Sequence, residues 1–177
     1  MSKHWFTADP HFSHNNIIRY TDRPFKNHKE MDNVLIKNIN DLVSPQDVVY
    51  YIGDFSMLSG SRWQHIEKIV SKINGQKVLI LGNHDALTPF KYIELGFHSV
   101  HTSLSIQLEG YKFIMNHDPS AYCMIPKDCI FLCGHIHNLF KILPDKRTIN
   151  VGVDVWDYKP VSLETIISVI KDFNMLG

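Results

Sequence analysis

The sequence predicts one mixed α/β domain, with a parallel half followed by a more antiparallel half. Two observations support this fold class. In the first half, short apolar runs alternate with stretches whose apolar residues recur at helical spacing, whereas strand-like runs dominate after Gly96. The length of 177 residues suits one domain, and the 44% of hydrophobic residues provide a sizeable core. We therefore expect residues 1–177 to form a single domain.

The first half is expected to contain three strands that alternate with three helices. The strands are compact apolar runs that end in glycine or in Asp9-Pro10, and they are residues 3–8, 47–52 and 77–81. Two helices are predicted at residues 30–43 and 63–73, where apolar side chains fall three and four positions apart. Thr88 and Pro89 predict the start of a third, short helix that closes at Gly96.

The second half is expected to consist mostly of strands. Residues 104–108 and 112–115 flank Glu109-Gly110, which is the pattern of a β-hairpin. Further strands are predicted at residues 129–133, 139–143 and 148–153, and a closing amphipathic helix at 163–173.

The composition argues against several functional classes. Lys and Arg number 18, as do Asp and Glu, so the chain lacks the basic field of most non-specific nucleic-acid binders. No apolar run reaches the roughly 18 residues that cross a bilayer, and residues 1–8 do not resemble a signal peptide. We expect a soluble, cytoplasmic protein with no membrane partner. The three cysteines lack CxxC spacing, which predicts buried free thiols instead of disulfides or a cysteine zinc site.

Polar clusters follow five of the predicted strands, and they contain many of the 11 histidines. Because ligands bind outside the carboxyl ends of the strands in open α/β sheets, we expect these clusters to meet at one edge. They are Asp9-Pro10-His11, Gly53-Asp54, Gly82-Asn83-His84-Asp85, Asn116-His117 and Gly134-His135-Ile136-His137.

Seven side chains in these clusters are candidate metal ligands. Aspartate oxygens, an asparagine carbonyl and neutral imidazoles together suit Mn, Fe or Zn better than Ca or Mg. Seven ligands are more than one catalytic ion needs, so we expect two ions, with Asp54 as the candidate bridging carboxylate. Residues two apart on an extended segment point the same way, which would aim each Asp-x-His or His-x-His pair at one site. The seven are Asp9, His11, Asp54, Asn83, His117, His135 and His137.

These motifs, in this order, resemble the calcineurin-like metallophosphoesterase family, in particular its small single-domain bacterial and phage phosphoesterases. The resemblance spans Asp9 to His137. It implies a four-layer α/β/β/α sandwich with a dinuclear metal centre at the carboxyl ends of the strands. It also implies two divalent metal ions as cofactors, drawn from Mn, Fe, Zn and Ni, of which Mn is favoured.

The resemblance further implies a role for each site residue. One ion would be bound by Asp9, His11 and His137. The other would be bound by Asn83, His117 and His135, and Asp54 would bridge the two. His84 would contact the phosphate and protonate the leaving oxygen, while Asp85 would orient His84.

The charge of such a centre predicts its chemistry. Two divalent ions, only partly offset by two aspartates, attract an anionic phosphate and lower the pKa of a bridging water. A metal-bridging hydroxide is expected to attack phosphorus while His84 assists the departing oxygen on the opposite side. The favoured function is a metal-dependent phosphodiesterase that acts on a small, nucleotide-like phosphate ester.

Three side chains are candidate substrate contacts. His14 lies three residues after His11, and Arg19 and Arg23 follow in the same predicted loop. Arginine suits bidentate contact with phosphate. Asp154, after the last histidine pair, is expected to be structural.

Three other functions stay open. The enzyme could be a phosphomonoesterase. A scaffold without turnover is disfavoured because every expected ligand type is present. A nuclease like the DNA-repair members of the family is disfavoured because the net charge is zero and no dense Lys/Arg stripe is visible.

Overall fold

The computed structural model describes residues 2–57 and 63–177, without the side chains of residues 122–124. Its helices are α1 (Asn15–Tyr20), α2 (His28–Leu42), α3 (Trp63–Val70), α4 (Pro89–Glu94) and α5 (Leu163–Asp172). Its strands are β1 (His4–Thr7), β2 (Val48–Ile52), β3 (Gln76–Ile80), β4 (Ser99–His101), β5 (Leu104–Leu108), β6 (Tyr111–Met115), β7 (Cys129–Cys133), β8 (Ile142–Leu143), β9 (Thr148–Asn150) and β10 (Val161–Ser162).

The strands form two five-stranded sheets. The first has the order β10-β1-β2-β3-β4, in which β1 to β4 run parallel and β10 pairs antiparallel with β1. The second has the order β5-β6-β7-β9-β8. Its three central strands are parallel, and only its edge strands β5 and β8 pair antiparallel. The second half is therefore mixed, and its antiparallel character is confined to the edges.

Local signals fix where the helices begin. The Asn27 side chain accepts a hydrogen bond from the Glu30 amide at 3.0 Å, and the Glu30 carboxylate accepts one from the Lys26 amide at 2.8 Å. The first bond satisfies an amide that a helix start leaves free, and the second ties the residue before the cap to the first turn. Thr88 caps α4 in front of Pro89, as predicted.

Alternation along the strands divides the core into two layers. One layer packs α2 and α3 against the first sheet, and its fully buried members include Met31, Leu35, Tyr51, Ile66 and Leu79. The other lies between the two sheets and includes Phe6, Ile52, Ile80, Phe113, Ile130 and Leu132, joined by Ile166 and Ile170 of α5. The predicted α/β sandwich is confirmed by this packing.

The structure adds three elements to those predicted. Helix α1 lies in the segment interpreted as a loop, and it buries only Ile17, so its helical periodicity is weak. Strands β4 and β10 are three and two residues long and carry polar positions, so neither forms an apolar run. The strand predicted at residues 139–143 is reduced to Ile142–Leu143.

Two smaller expectations can also be compared with the structure. Cys129 and Cys133 are buried free thiols, as predicted, while the side chain of Cys123 lies outside the described residues. Within residues 2–57 and 63–177, no helix combines the length and the apolar character needed to cross a membrane.

Candidate metal centre

The five polar clusters follow the carboxyl ends of β1, β2, β3, β6 and β7. Direct hydrogen bonds join the clusters of the two sheets. The His135 amide, after β7, donates to a carboxylate oxygen of Asp9, after β1, at 2.9 Å. The His117 Nδ1, after β6, lies 2.9 Å from the carbonyl oxygen of Ile52 at the end of β2. The clusters therefore converge where the two sheets meet.

The first candidate ligand group consists of Asp9, His11 and His137, whose potential ligand atoms all lie within 4.8 Å of one another. Asp9 and His11 are buried, and His137 is half-buried. Among the residues that the structure describes, neither ring nitrogen of His11 has a hydrogen-bond partner, although both are buried. A buried polar atom without a partner is costly, and a metal ion at one nitrogen would remove part of this cost.

The second candidate ligand group consists of Asp54, His117 and His135, again within 4.8 Å. The Asn83 side-chain oxygen belongs with it, because it lies 3.2 Å from His117 Nε2 and 3.0 Å from His135 Nδ1. The contact of His117 Nδ1 with a carbonyl requires a proton on Nδ1 and leaves Nε2 free for an ion. This division of ligands matches the one implied by the resemblance.

Asp54, a member of the second group, also lies close to the first. Its Oδ2 is 3.6 Å from His11 Nε2 in the first group and 3.3 Å from His117 Nε2 in the second. One carboxylate oxygen thus faces a potential ligand atom on each side. This is the position that a bridging carboxylate requires.

Most of the candidate ligands have an unusual backbone conformation. Five of the seven are non-glycine residues with positive φ: Asp9 (55°), His11 (49°), Asp54 (53°), His135 (73°) and His137 (48°). The expectation that the Asp-x-His and His-x-His pairs are extended is therefore wrong, since both ends of each pair are left-handed. Such residues cost free energy and cluster at functional sites.

Backbone pairing beyond the strands holds these turns in place. The amides of Asp9 and His11 donate to the carbonyls of Gly53 and Asp54, both at 3.1 Å. The turn after β3 lies so close to Asp54 that position 82 requires glycine. A Cβ there would collide with the side chain and the amide of Asp54.

Asp85 binds backbone amides. Its carboxylate accepts from the amides of Asp54 at 2.9 Å, Phe55 at 3.0 Å and Gly82 at 2.8 Å. The resemblance implied that Asp85 orients His84, whereas the described hydrogen bonds of the Asp85 carboxylate go to these amides and to Tyr92. Asp85 therefore holds the turns after β2 and β3 together, because three donors converge on one buried carboxylate.

His84 lies on the open side of the site, with 42% of its side chain exposed. Its amide donates to Asp54 Oδ1 at 2.9 Å, and its Nε2 lies 4.0 Å from Asp54 Oδ2. The ring is thus close to both ligand groups and still accessible to a substrate.

A buried ion pair behind His137 was not predicted as part of the site. Asp154 Oδ2 accepts from His137 Nδ1 at 2.8 Å, and the Arg23 guanidinium binds both oxygens of Asp154 at 2.7 and 2.9 Å. Arg23 also donates to the backbone carbonyls of Asp9 and Pro10. The pair therefore fixes the protonated nitrogen of His137 and supports the left-handed turn of the first motif.

The predicted substrate contacts have different positions. Arg23, expected as a substrate contact, has a fully buried side chain whose charge is engaged by Asp154. Arg19 is exposed on α1. The ring of His14 is half-buried, 5.7 Å from that of His11 between ring centres. The role expected for Asp154 was structural, and no short motif pointed to its contact with His137.

Burial and the two carboxylates shift the pKa values of the site residues in different directions. Burial raises the pKa of Asp9 to about 6 and lowers that of His11 to about 2. Burial also opposes charge on His117, but the neighbouring Asp54 and Asp9 carboxylates outweigh it and raise the His117 pKa to about 9. Without an ion, a proton on His117 partly balances the carboxylates. Divalent cations fit this donor set and would take over that charge balance.

Comparisons with known proteins agree with this geometry. The family model for calcineurin-like phosphoesterases matches residues 3–160. An uncharacterized protein of Methanocaldococcus jannaschii is 37% identical over 177 residues, covering 97% of this chain and 93% of that protein. The gene 66 protein of Mycobacterium phage D29 is 26% identical over 200 residues, covering 97% of this chain and 98% of that protein.

Two solved structures share the fold. A protein of unknown function from Aquifex aeolicus has a TM-score of 0.76 at 24% identity, covering 96% of this chain and all of that one. A structure described as a novel archaeal phosphodiesterase has a TM-score of 0.56 at 16% identity, covering 91% of this chain and 98% of that one. At these identities the likeness concerns the fold alone.

Proposed function

The chain belongs to the calcineurin-like phosphoesterase family, and on that premise we propose that it is a dinuclear, metal-dependent phosphodiesterase acting on nucleotide-like phosphate esters. The family supports a metal-dependent phosphoesterase as the general activity. The observation that carries the dinuclear proposal is the position of Asp54 Oδ2. It lies 3.6 Å from His11 Nε2 and 3.3 Å from His117 Nε2.

The donor set supports two divalent ions of similar character. Asp9, His11 and His137 would bind one ion, and Asn83, His117 and His135 the other, with Asp54 shared. When bound, such ions supply Lewis acidity that ionises a water and neutralises charge on a phosphate. Oxygen and imidazole donors in this mixture suit Mn, Fe, Zn and Ni, and Mn is the ion we propose.

The residues of the chain position and protonate the substrate. His84 is exposed beside Asp54, so its imidazole can reach the ester oxygen that leaves and donate a proton to it. Asp85 keeps the turn that bears His84 in contact with the turn that bears Asp54. This contact fixes the distance between the proposed acid, His84, and the proposed ligand, Asp54. We also propose His14, whose ring centre is 5.7 Å from that of His11, and the exposed Arg19 of α1 as substrate contacts.

The buried Arg23 favours diesters over monoesters. A phosphate monoester carries a second negative charge near neutral pH, and enzymes often bind it with bidentate arginine. Here the Arg23 guanidinium is fully buried against Asp154 and cannot reach a substrate, which leaves Arg19 as the one proposed arginine contact. A singly charged diester makes less demand on the remaining exposed groups.

The decisive experiment compares bis-p-nitrophenyl phosphate with p-nitrophenyl phosphate. Chelator-stripped protein is assayed after addition of Mn, Ni, Zn or Mg, and bound metal is counted by mass spectrometry. We expect two ions per chain and metal-dependent cleavage of the diester. Asp54→Asn should abolish turnover, whereas Asp145→Asn, at an exposed acid, should not.

Each other result has a defined meaning. A preference for the monoester would make the protein a phosphatase. One ion per chain in fully active protein would contradict the dinuclear proposal. Full metal binding without turnover of either ester would favour the scaffold.

A further inference from the structure

A basic groove runs between α2 and α3 on the outer, helical side of the first sheet. It encloses about 350 Å³ and is lined by the cationic or titratable side chains of His28, Lys29, His65, Lys68 and Lys72. Its floor is apolar, formed by Ile36 and Ile69.

The groove leads away from the metal centre. Helices α2 and α3 connect parallel strands, so each runs back from the carboxyl ends of the strands, where the metal centre lies. The first residues of the two helices, including His28, are therefore at the site end, and Lys72 is at the far end. Ser13, two residues after His11, lines the groove at its site end. A chain bound in the groove can therefore continue toward the metal centre.

The lysines of the groove are available to an anion. Across residues 2–57 and 63–177, no acidic side chain pairs with Lys29, Lys68 or Lys72, whereas Lys37 on α2 pairs with Asp41. The acidic residue among the described lining residues is Asp32, and its carboxylate already accepts from the amide of Ser13 at 2.9 Å and from its hydroxyl at 3.1 Å.

An exposed aromatic side chain lies near the metal centre, on the helix that contacts the groove. Tyr20, at the end of α1, is 73% exposed, and its ring centre is 6.4 Å from that of His14, which in turn contacts His11. Helix α1 also touches the groove, because the Asn15 side chain accepts from the His28 amide at 2.9 Å. A basic groove combined with an exposed aromatic ring is the arrangement that binds single-stranded nucleic acid.

We propose that this groove and Tyr20 bind a short single-stranded oligonucleotide, whose phosphates contact the groove lysines while a base stacks on Tyr20 and one phosphodiester reaches the metal centre. The proposal rests on the phosphodiesterase function and names its substrate class. It also revises the argument from net charge. The total of zero hides a local excess of positive charge beside the site, and phosphates respond to the local field.

The test uses the Mn-loaded enzyme and three substrates: bis-p-nitrophenyl phosphate, a dinucleotide and a single-stranded oligonucleotide of about 12 nucleotides, within the usual range of site sizes. We expect the oligonucleotide to have a higher kcat/KM than the dinucleotide. In Lys68→Ala/Lys72→Ala, the ratio of oligonucleotide to bis-p-nitrophenyl phosphate cleavage should fall roughly 10- to 30-fold at 0.1 M salt, since each lysine contributes about 0.7 to the slope of log K against log salt. The matched variant Lys159→Ala/Lys171→Ala, which removes two exposed lysines outside the groove, should keep the wild-type ratio.

Variants of Tyr20 test whether the protein binds oligonucleotides in particular or phosphate chains in general. Tyr20→Ala should weaken oligonucleotide binding roughly fivefold or more, and Tyr20→Phe should restore it, because the phenylalanine ring can also stack. Inorganic polyphosphate should bind equally well to both variants. Equal losses for polyphosphate and oligonucleotide in Tyr20→Ala would overturn the stacking assignment.

Failure of the inference can be distinguished from failure of the proposed function. If bis-p-nitrophenyl phosphate is cleaved but the ratio of oligonucleotide to bis-p-nitrophenyl phosphate cleavage is unchanged in Lys68→Ala/Lys72→Ala, the groove proposal alone is overturned. If no ester is cleaved, the function fails, and fluorescence anisotropy with a labelled oligonucleotide then tests the groove directly. Loss of binding in this variant would support the groove, and unchanged binding with an unchanged salt slope would refute it.

Discussion

Asp154 provides the sharpest test of how the metal centre is held together. Its carboxylate accepts from His137 Nδ1 at 2.8 Å and binds Arg23 through two hydrogen bonds, with both members of the ion pair buried. Asp154→Asn keeps the shape of the side chain but removes its charge, and it turns an N–H₂ group toward one of these donors. We expect two separable effects, one on the affinity for metal and one on the stability of the fold.

The expected magnitudes follow from the contacts. Loss of a group that orients a ligating histidine typically lowers metal affinity 10- to 100-fold, or about 1.4 to 2.7 kcal/mol. Breaking a buried ion pair costs about 3 to 5 kcal/mol, because Arg23 would be left charged and without its partner. Arg23→Ala should lower stability by a comparable amount. It should affect metal affinity less than Asp154→Asn does, since Asp154 could still accept from His137.

The assay titrates Mn into chelator-stripped protein by calorimetry, and urea denaturation in chelator measures stability independently of metal. Asp145→Ala, at an exposed acid, is the control and should change stability by no more than about 0.5 kcal/mol. If folded Asp154→Asn binds two ions with wild-type affinity, the idea that Asp154 orients His137 is refuted.

Three further outcomes are expected. Asp85→Asn should lower the free energy of unfolding by about 1 to 3 kcal/mol, because an amide cannot accept from three backbone N–H groups as a carboxylate does. Urea denaturation measures this change, and an unchanged midpoint would contradict the role of Asp85 in holding the two turns together. Gly82→Ala should reduce metal stoichiometry, since its Cβ would displace Asp54, and full occupancy in mass spectrometry would show that the turn can adjust. Saturating Mn at 100 times its dissociation constant should stabilise the wild type by about 2.7 kcal/mol for each bound ion, or about 5.4 kcal/mol for two, in a thermal-shift assay. His11→Ala should diminish this stabilisation, and equal stabilisation of both proteins would argue against His11 as a ligand.

The sequence predicted the central elements of the fold because their signals are local. Apolar runs such as residues 47–52 and 129–133 coincide with buried strands, and Thr88-Pro89 marks the start of α4. The short strands were not predicted, because they lack such a local signal. Strand β10 has two residues and depends on pairing with Trp5 and Phe6, which lie far away in the chain.

The candidate ligands could also be predicted from the sequence, since each follows a strand and belongs to an ordered set of motifs. The backbone that presents them could not. Left-handed conformations at residues such as Asp9 and His135 oppose local preference and persist because distant contacts hold them, for example the bond from the His135 amide to Asp9.

The sequence by itself thus indicated the mixed α/β class and the candidate ligands, because apolar periodicity and short motifs are properties of neighbouring residues. The resemblance of its motifs to a known family implied the two-sheet sandwich. Only the tertiary structure decided the roles of Arg23, Asp154 and Asp85 and the existence of the basic groove. Arg23 and Asp154 are 131 positions apart and meet only after folding. A free arginine and a buried one look the same in a sequence, because burial and pairing depend on contacts between distant segments.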